Sequence, residues 1–196
     1  MKQSYSDILL KSVVHNDAEI YIRSGYGGKK IKKWPFYKFI KLWINGNHRQ
    51  ARSKWIDWLL NEFNKYKCIP KSRGGMYHGS VHFYSLKFKN INKKKLLLDP
   101  TLISKDSIKN GASILVDRRI KMISSIVKNG YKIDLADPIF AVKTGNLYTL
   151  MGGHHRAALL YILGYKKLPR VIVYSKFLWE IRKCSSKKSI LIDVHC

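Results

Sequence analysis

Acidic residues are scarce in this chain: 12 Asp plus Glu stand against 38 Lys plus Arg, for a formal net charge of +26 at neutral pH. Few carboxylates are therefore on hand for acid–base work. Cysteine is equally thin. Cys68, Cys184 and Cys196 form no CxxC pair and leave one thiol over in any pairing, which speaks against a zinc knuckle and against a secreted disulfide framework. Long uncharged runs are missing as well. The start, Met1-Lys2-Gln3-Ser4-Tyr5-Ser6-Asp7, has no apolar core of signal-peptide length, and no stretch approaches a membrane span. The expectation is a soluble, cytoplasmic protein with reduced thiols and no transmembrane segment. No internal repeat is visible.

What is present suffices for a folded unit. At 196 residues, with 45% hydrophobic side chains, five Trp, twelve Tyr and seven Phe, the chain can bury one sizeable core. The positive field attracts polyanions, among them nucleic acid, anionic lipid headgroups, nucleotides and phosphorylated glycans. Lysines set beside Asn and Ile are also what an AT-rich coding bias produces, so charge alone does not choose a partner.

Trp34, Phe36, Tyr37, Phe39, Ile40, Leu42 and Trp43 predict a short helix with a broad aromatic face, broken by Asn45-Gly46-Asn47. Between Arg49 and Lys65, Ala51, Trp55, Trp58, Leu59, Glu62, Phe63 and Tyr66 recur at or near helical steps. Such a stripe reads first as a core-packing face, and second as a membrane-interface anchor or a base-stacking platform. The loop Lys71-Ser72-Arg73-Gly74-Gly75-Met76-Tyr77-His78-Gly79-Ser80 admits two readings. Its glycines and cations suit an anion-binding nest, with Lys71, Arg73, Gly74, Gly75, His78 and Ser80 as substrate or anion contacts. They equally suit a turn into the alternating run Val81 to Leu86.

A soft boundary near Asn110 separates a mainly helical, aromatic-rich region (1–109) from a core (110–175) and a basic tail (176–196). Ser113 to Asn129 predicts a helix with Val116, Ile120, Ile123 and Val127 on one face, closed by Gly130. Asp137-Pro138 opens a β-hairpin, Ile139 to Val142 and Leu147 to Leu150, turned by Thr144-Gly145-Asn146. Gly152-Gly153 follows directly, a helix runs from His155 to Leu163, and Arg170 to Tyr174 reads as a buried strand. Strand, glycine turn, helix, strand is the layout of a phosphate site. The first N–H groups of a helix lack intrahelical acceptors and the dipole is positive there, so an anion is stabilised. Gly152 and Gly153 leave room for it, Arg156 offers a planar fork, and His155 can donate from its ring. A basic helix start facing solvent is the plainer alternative. Cations oppose the dipole at that end, however, and so call for an anion.

The stretch Ser113 to Tyr174, with Gly152-Gly153-His154-His155-Arg156-Ala157-Ala158 and Leu163-Gly164-Tyr165-Lys166-Lys167-Leu168-Pro169, resembles the ParB/sulfiredoxin superfamily. The resemblance implies an α+β fold, a small mixed sheet with helices, and it implies ATP bound through His155 and Arg156, as in the Gly-Gly-Cys-His-Arg motif of sulfiredoxins. His154 replaces the sulfiredoxin cysteine, which removes sulfinic-acid reductase chemistry. Nucleases and free serine kinases of the superfamily read Asp-Gly-His-His-Arg. Gly152 replaces that Asp, so their catalytic step does not transfer unaltered. The Gly-Gly-Met-Tyr-His-Gly-Ser loop is similar to ParB-like proteins associated with cell-surface polysaccharide biosynthesis.

Two functions follow as expectations. One is an ATP-dependent phosphotransferase, a kinase using Mg2+, with the Gly152 to Arg156 turn on the phosphates and the 71–80 loop on an anionic small molecule or glycan. Its base is sought among His154, Asp137, Glu62, Asp117 and Asp134. The other is a ParB-like nuclease or nucleic-acid binder using the basic surface. A module that binds nucleotide without turnover is a third.

Overall fold

The computed structural model describes residues 5–16, 25–66, 105–133 and 138–175. The fold is α+β: a five-stranded mixed sheet with helices packed on it. The strands are β1 (Tyr5–Leu9), β2 (Val13–His15), β3 (Ile139–Thr144), β4 (Leu147–Leu150) and β5 (Lys167–Ser175), in the order β1-β5-β3-β4-β2. β1 runs antiparallel to β5, β5 parallel to β3, β3 antiparallel to β4, and β4 parallel to β2. Both outer strands thus come from the first fifteen residues. The region before Asn110 contributes strands to the same sheet as the region after it, in addition to the expected helices.

The helices are α1 (Pro35–Ile44), α2 (His48–Tyr66), α3 (Lys105–Asn129) and α4 (His154–Ile162). Pro35 stands at the first position of α1, where a missing N–H costs nothing. Trp34 caps α1 from outside it, fully buried, its indole N–H donating to the Lys29 carbonyl at 2.7 Å. The aromatic stripe packs inward: Phe36, Phe39 and Ile40 of α1 and Ala51, Trp55 and Ile56 of α2 are buried. A stripe so committed is a core face. No helix among the described residues is long and apolar enough to cross a membrane.

α3 begins about two turns earlier than its apolar spacing predicts. Val116 and Ile123 are fully buried and Ile120 packs against the core, but Val127 is 51% exposed. Ile126 takes its place against the core at the last turn. The predicted closure holds, with Gly130 left-handed at φ +72°. A bidentate ion pair, Arg52 Nε to Asp117 Oδ1 at 2.8 Å and Arg52 to Asp117 Oδ2 at 3.0 Å, ties α2 to α3.

The hairpin forms where predicted, with Gly145 at φ +57° in its turn. The strand predicted over Arg170 to Tyr174 extends back through Pro169 to Lys167. A proline is tolerated inside this inner strand because the pairing with β1 slips there, between Ser6 and Ile8. At the same irregularity Arg170 takes φ +53°, its N–H donating to the Asp7 carboxylate at 3.3 Å.

Candidate functional site

The turn between β4 and α4 is built by one obligatory glycine. Gly153 caps α4 in the left-handed region at φ +74°, and a Cβ there would lie 2.7 Å from Ile139 Cγ1. Only glycine combines that backbone with that closeness. Gly152 differs: a Cβ on it would meet nothing within 4 Å among the described residues. Among the described residues no chain approaches it closely.

α4 starts at His154, one residue before its predicted start. Its first intrahelical bond runs from the Ala157 N–H to the Gly153 carbonyl at 3.0 Å, so the N–H groups of His154, His155 and Arg156 are directed out of the helix end. The first turn carries no acidic residue. Behind it, Ala157, Ala158, Leu159 and Leu160 are fully buried, which anchors the helix end rigidly on the core.

The side chains of the turn divide sharply. His155 lies against aromatic rings, stacked on Phe36 at 4.3 Å and 30° and on Trp55 at 5.7 Å and 20°. Burial, then the charge of Arg119 and the neighbouring His154 and His15, hold its imidazole well below the usual histidine range. It is a neutral ring locking α4 to α1 and α2. Arg156 reaches Tyr131, donating to its hydroxyl at 3.5 Å. His154 donates from Nε2 to the Leu150 carbonyl at 3.0 Å and is met face-on by His15 of β2, ring centroids 4.0 Å apart at 20°.

Arg119 of α3, which no sequence motif marks, completes the cluster. It is partly buried, and desolvation followed by the nearby Arg156 and Arg118 charges pulls its proton affinity down. It stays charged, as guanidinium does in proteins. The charges of Arg119 and Arg156 are thus felt by one another, and that of Arg119 by His155 in the first turn of α4, while burial lowers the proton affinity of the His155 and His15 rings. Arg119 lies beside the apolar positions Val116, Ile120 and Ile123, and a charge next to a buried stripe is the only sequence signal it gives.

The remaining candidates fall in several places. Glu62 is half-buried on α2, two turns beyond Trp55. Asp117 engages Arg52 with both oxygens, and that hydrogen bonding holds its carboxyl below the ordinary range. It is a structural anion and a poor base. Asp134, Asp137 and the loop residues Lys71, Arg73, Gly74, Gly75, His78 and Ser80 lie outside the described residues. Among the described residues no group of three or more His, Cys, Asp or Glu is placed to hold a metal ion.

Comparison with known proteins gives partial likenesses. No family model matches the chain, and no solved structure matches it. An ATP-dependent L-serine kinase of Desulfurococcus mucosus is 29% identical over 76 residues, which are 39% of this chain and 29% of the kinase. An uncharacterized protein of Methanocaldococcus jannaschii is 47% identical over 45 residues, 22% of this chain and 17% of that protein. The matched stretch thus spans less than a third of the length of either relative.

Proposed function

We propose that the protein is a nucleotide-binding phosphotransferase of ParB/sulfiredoxin type, a cytoplasmic kinase that holds ATP by its phosphates at the start of α4. The acceptor is a small molecule or a glycan. The observation that carries this reading is the meeting of Arg119 and Arg156 at that helix end. Arg119 is partly desolvated and feels the charge of Arg156, and cations oppose the dipole at a helix N-terminus, so an anion placed there is stabilised by both. A polyphosphate offers several charged oxygens to two planar forks and a row of amide N–H groups. The partial likeness to an ATP-dependent L-serine kinase supports the same assignment, and a hydroxyl-bearing amino acid belongs to the acceptor class.

The residues fit a triphosphate better than they fit a resident metal. Mg2+ is commonly held by substrate phosphates with one or two carboxylates. The first turn of α4 has no acidic residue, so Mg2+ would arrive on the nucleotide's own oxygens. ATP, when bound, supplies the transferable phosphoryl group. Arg119 and Arg156 take up the charge on its oxygens, and the N–H groups of His154, His155 and Arg156 face them. His155 contributes through its backbone, its ring being engaged by Phe36 and Trp55. His154 takes the proton of the acceptor hydroxyl, with Glu62 and Asp137 as the carboxylate alternatives. Lys71, Arg73, Gly74, Gly75, His78 and Ser80 are assigned to the acceptor.

The test is a thermal-shift series with ATP, CTP and GTP, each with Mg2+. Ligand binding raises apparent stability by about 2.7 kcal/mol at a hundredfold excess over Kd. A response to ATP that Arg156→Ala abolishes supports the reading, and no response to any nucleotide at several millimolar ends it. The net charge of +26 favours a second reading, a nucleic-acid binder. The rings that would stack on bases, Trp34, Phe36 and Trp55, are buried, which weighs against it. Filter binding of DNA and RNA across a salt series decides: negligible affinity at low salt removes it.

A further inference from the structure

His15 lies outside every motif the sequence displays, in a three-residue strand at the edge of the sheet. It is nevertheless the one buried polar or charged side chain among the described residues, 3% exposed. A buried imidazole is costly unless its N–H is satisfied, and Nδ1 donates to the Asn16 carbonyl at 3.0 Å. Aromatic groups pack around the ring. Tyr26 and Trp34 meet it edge-on at 4.8 and 5.2 Å, close to perpendicular, Phe36 lies at 6.1 Å, and His154 stacks on its face.

His154 is held by backbone and rings together. A carbonyl only accepts, so the contact between Nε2 and Leu150 puts a proton on Nε2. The indole edge of Trp34 stands 5.5 Å away at 70°. His15 covers the ring face. The β2–β4 register pairs His15 with Leu150 itself, so one rung of the sheet supplies both the ring under His154 and the carbonyl beside it.

We propose that His15 is a positioning residue: together with the Leu150 carbonyl it holds the His154 imidazole in one orientation, with its proton on Nε2, at the start of α4. Its use in catalysis rests on the phosphotransfer reading, whereas its effect on His154 does not. In that reaction the acceptor oxygen forms the new P–O bond and its proton passes to the His154 imidazole. The bond from the γ-phosphorus to the bridging oxygen breaks, and its electron pair leaves with ADP. Burial pushes His15 down to about 4, so it remains uncharged beneath a ring that gains and loses a proton. An aliphatic side chain would fill the same space without fixing the plane of His154.

The experiment is long-range 1H–15N spectroscopy of histidine rings in the full chain, with His154 assigned from the signals that His154→Gln removes. At mildly alkaline pH the native protein is expected to show His154 protonated on Nε2 with its lone pair on Nδ1, and a nuclear Overhauser contact between the His15 and His154 rings. His15→Leu should average the two nitrogens of His154, and His15→Phe, which restores a flat ring, should recover the single form. A native His154 that is averaged, or protonated on Nδ1, overturns the proposal without recourse to any variant. So does an unchanged His154 pattern in folded His15→Leu. Thermal shift with ATP on the same samples separates the two readings: loss of the ATP response with the tautomer behaviour intact sinks phosphotransfer and leaves the positioning role, and the converse sinks the positioning role alone.

Discussion

Acidification should destabilise the protein through His15. The folded state keeps this imidazole neutral down to about 4, whereas an unfolded chain protonates it near the ordinary value of 6.5. A histidine depressed on folding contributes no penalty above the unfolded value. As pH falls below it, the unfolded state binds protons that the folded state refuses, so stability is lost until the folded value is passed. A shift from 6.5 to about 4 amounts to about 2 kcal/mol lost at pH 5 and about 3 kcal/mol at pH 4. His155, also held well below its usual range, adds to the loss in the same direction. The decisive quantity is therefore the difference between the native protein and His15→Phe. Urea unfolding followed by fluorescence of the buried Trp34 and Trp55, at steps from about pH 7.5 to about pH 4, gives stability at each pH. The phenyl ring is bulkier than imidazole and costs some packing, but that cost does not depend on pH. The native curve should fall away from the variant curve below about pH 6.5, by about 2 kcal/mol at pH 5. Parallel curves across the range would refute the reasoning. Asp117, whose carboxyl Arg52 holds below its ordinary range, is common to both proteins and cancels in the difference between the curves.

Other perturbations separate the parts of the site. Gly153→Ala should lower stability by about 1–3 kcal/mol in urea unfolding, from a left-handed backbone and the collision with Ile139, while Gly152→Ala should stay within about 0.5 kcal/mol. Arg119→Met should leave the unliganded protein as stable or more so, because it removes a desolvated cation beside Arg156, yet weaken ATP binding about tenfold or more by calorimetry; a stability loss with unaltered ATP affinity would place Arg119 in the scaffold alone. Asp117→Asn should cost no more than about 1 kcal/mol, the pair with Arg52 being half exposed, and should not change the thermal response to ATP.

The elements legible in the sequence are those whose signal is local. The aromatic spacing of α1 and α2, the apolar face of α3, the β3–β4 hairpin and the glycine-led start of α4 all stand within a residue or two of their predicted places, apart from the extra turns at the start of α3. Each is encoded by periodicity or turn chemistry over a dozen residues. β1 and β2 are not, because strands of five and three residues show too little alternation to identify, and their partners lie far along the chain. His15 and Arg119 were hidden for the same reason. Each matters through a neighbour distant in sequence, His154 for one and Arg156 for the other, and neither spacing nor composition reports such a meeting. Val127 shows the opposite failure: an apolar residue at the right spacing stays in solvent because Ile126, one position earlier, takes the core-facing place in the last turn.

The placement of β1 and β2 on the two margins of the sheet has a consequence for how the protein comes into being. The strands synthesised first are laid down last, since β1 has nothing to pair with until β5 exists, and β2 must wait for β4. Contacts of such long sequence separation make folding slow, and a nascent chain holds these segments unsatisfied through most of its synthesis. The ring stack of His15 on His154 must likewise wait until β4 and the start of α4 have been made. A chain cut anywhere between them would have to reassemble from its fragments before the histidines could meet, so the presence of that stack reports that β2 has docked on β4.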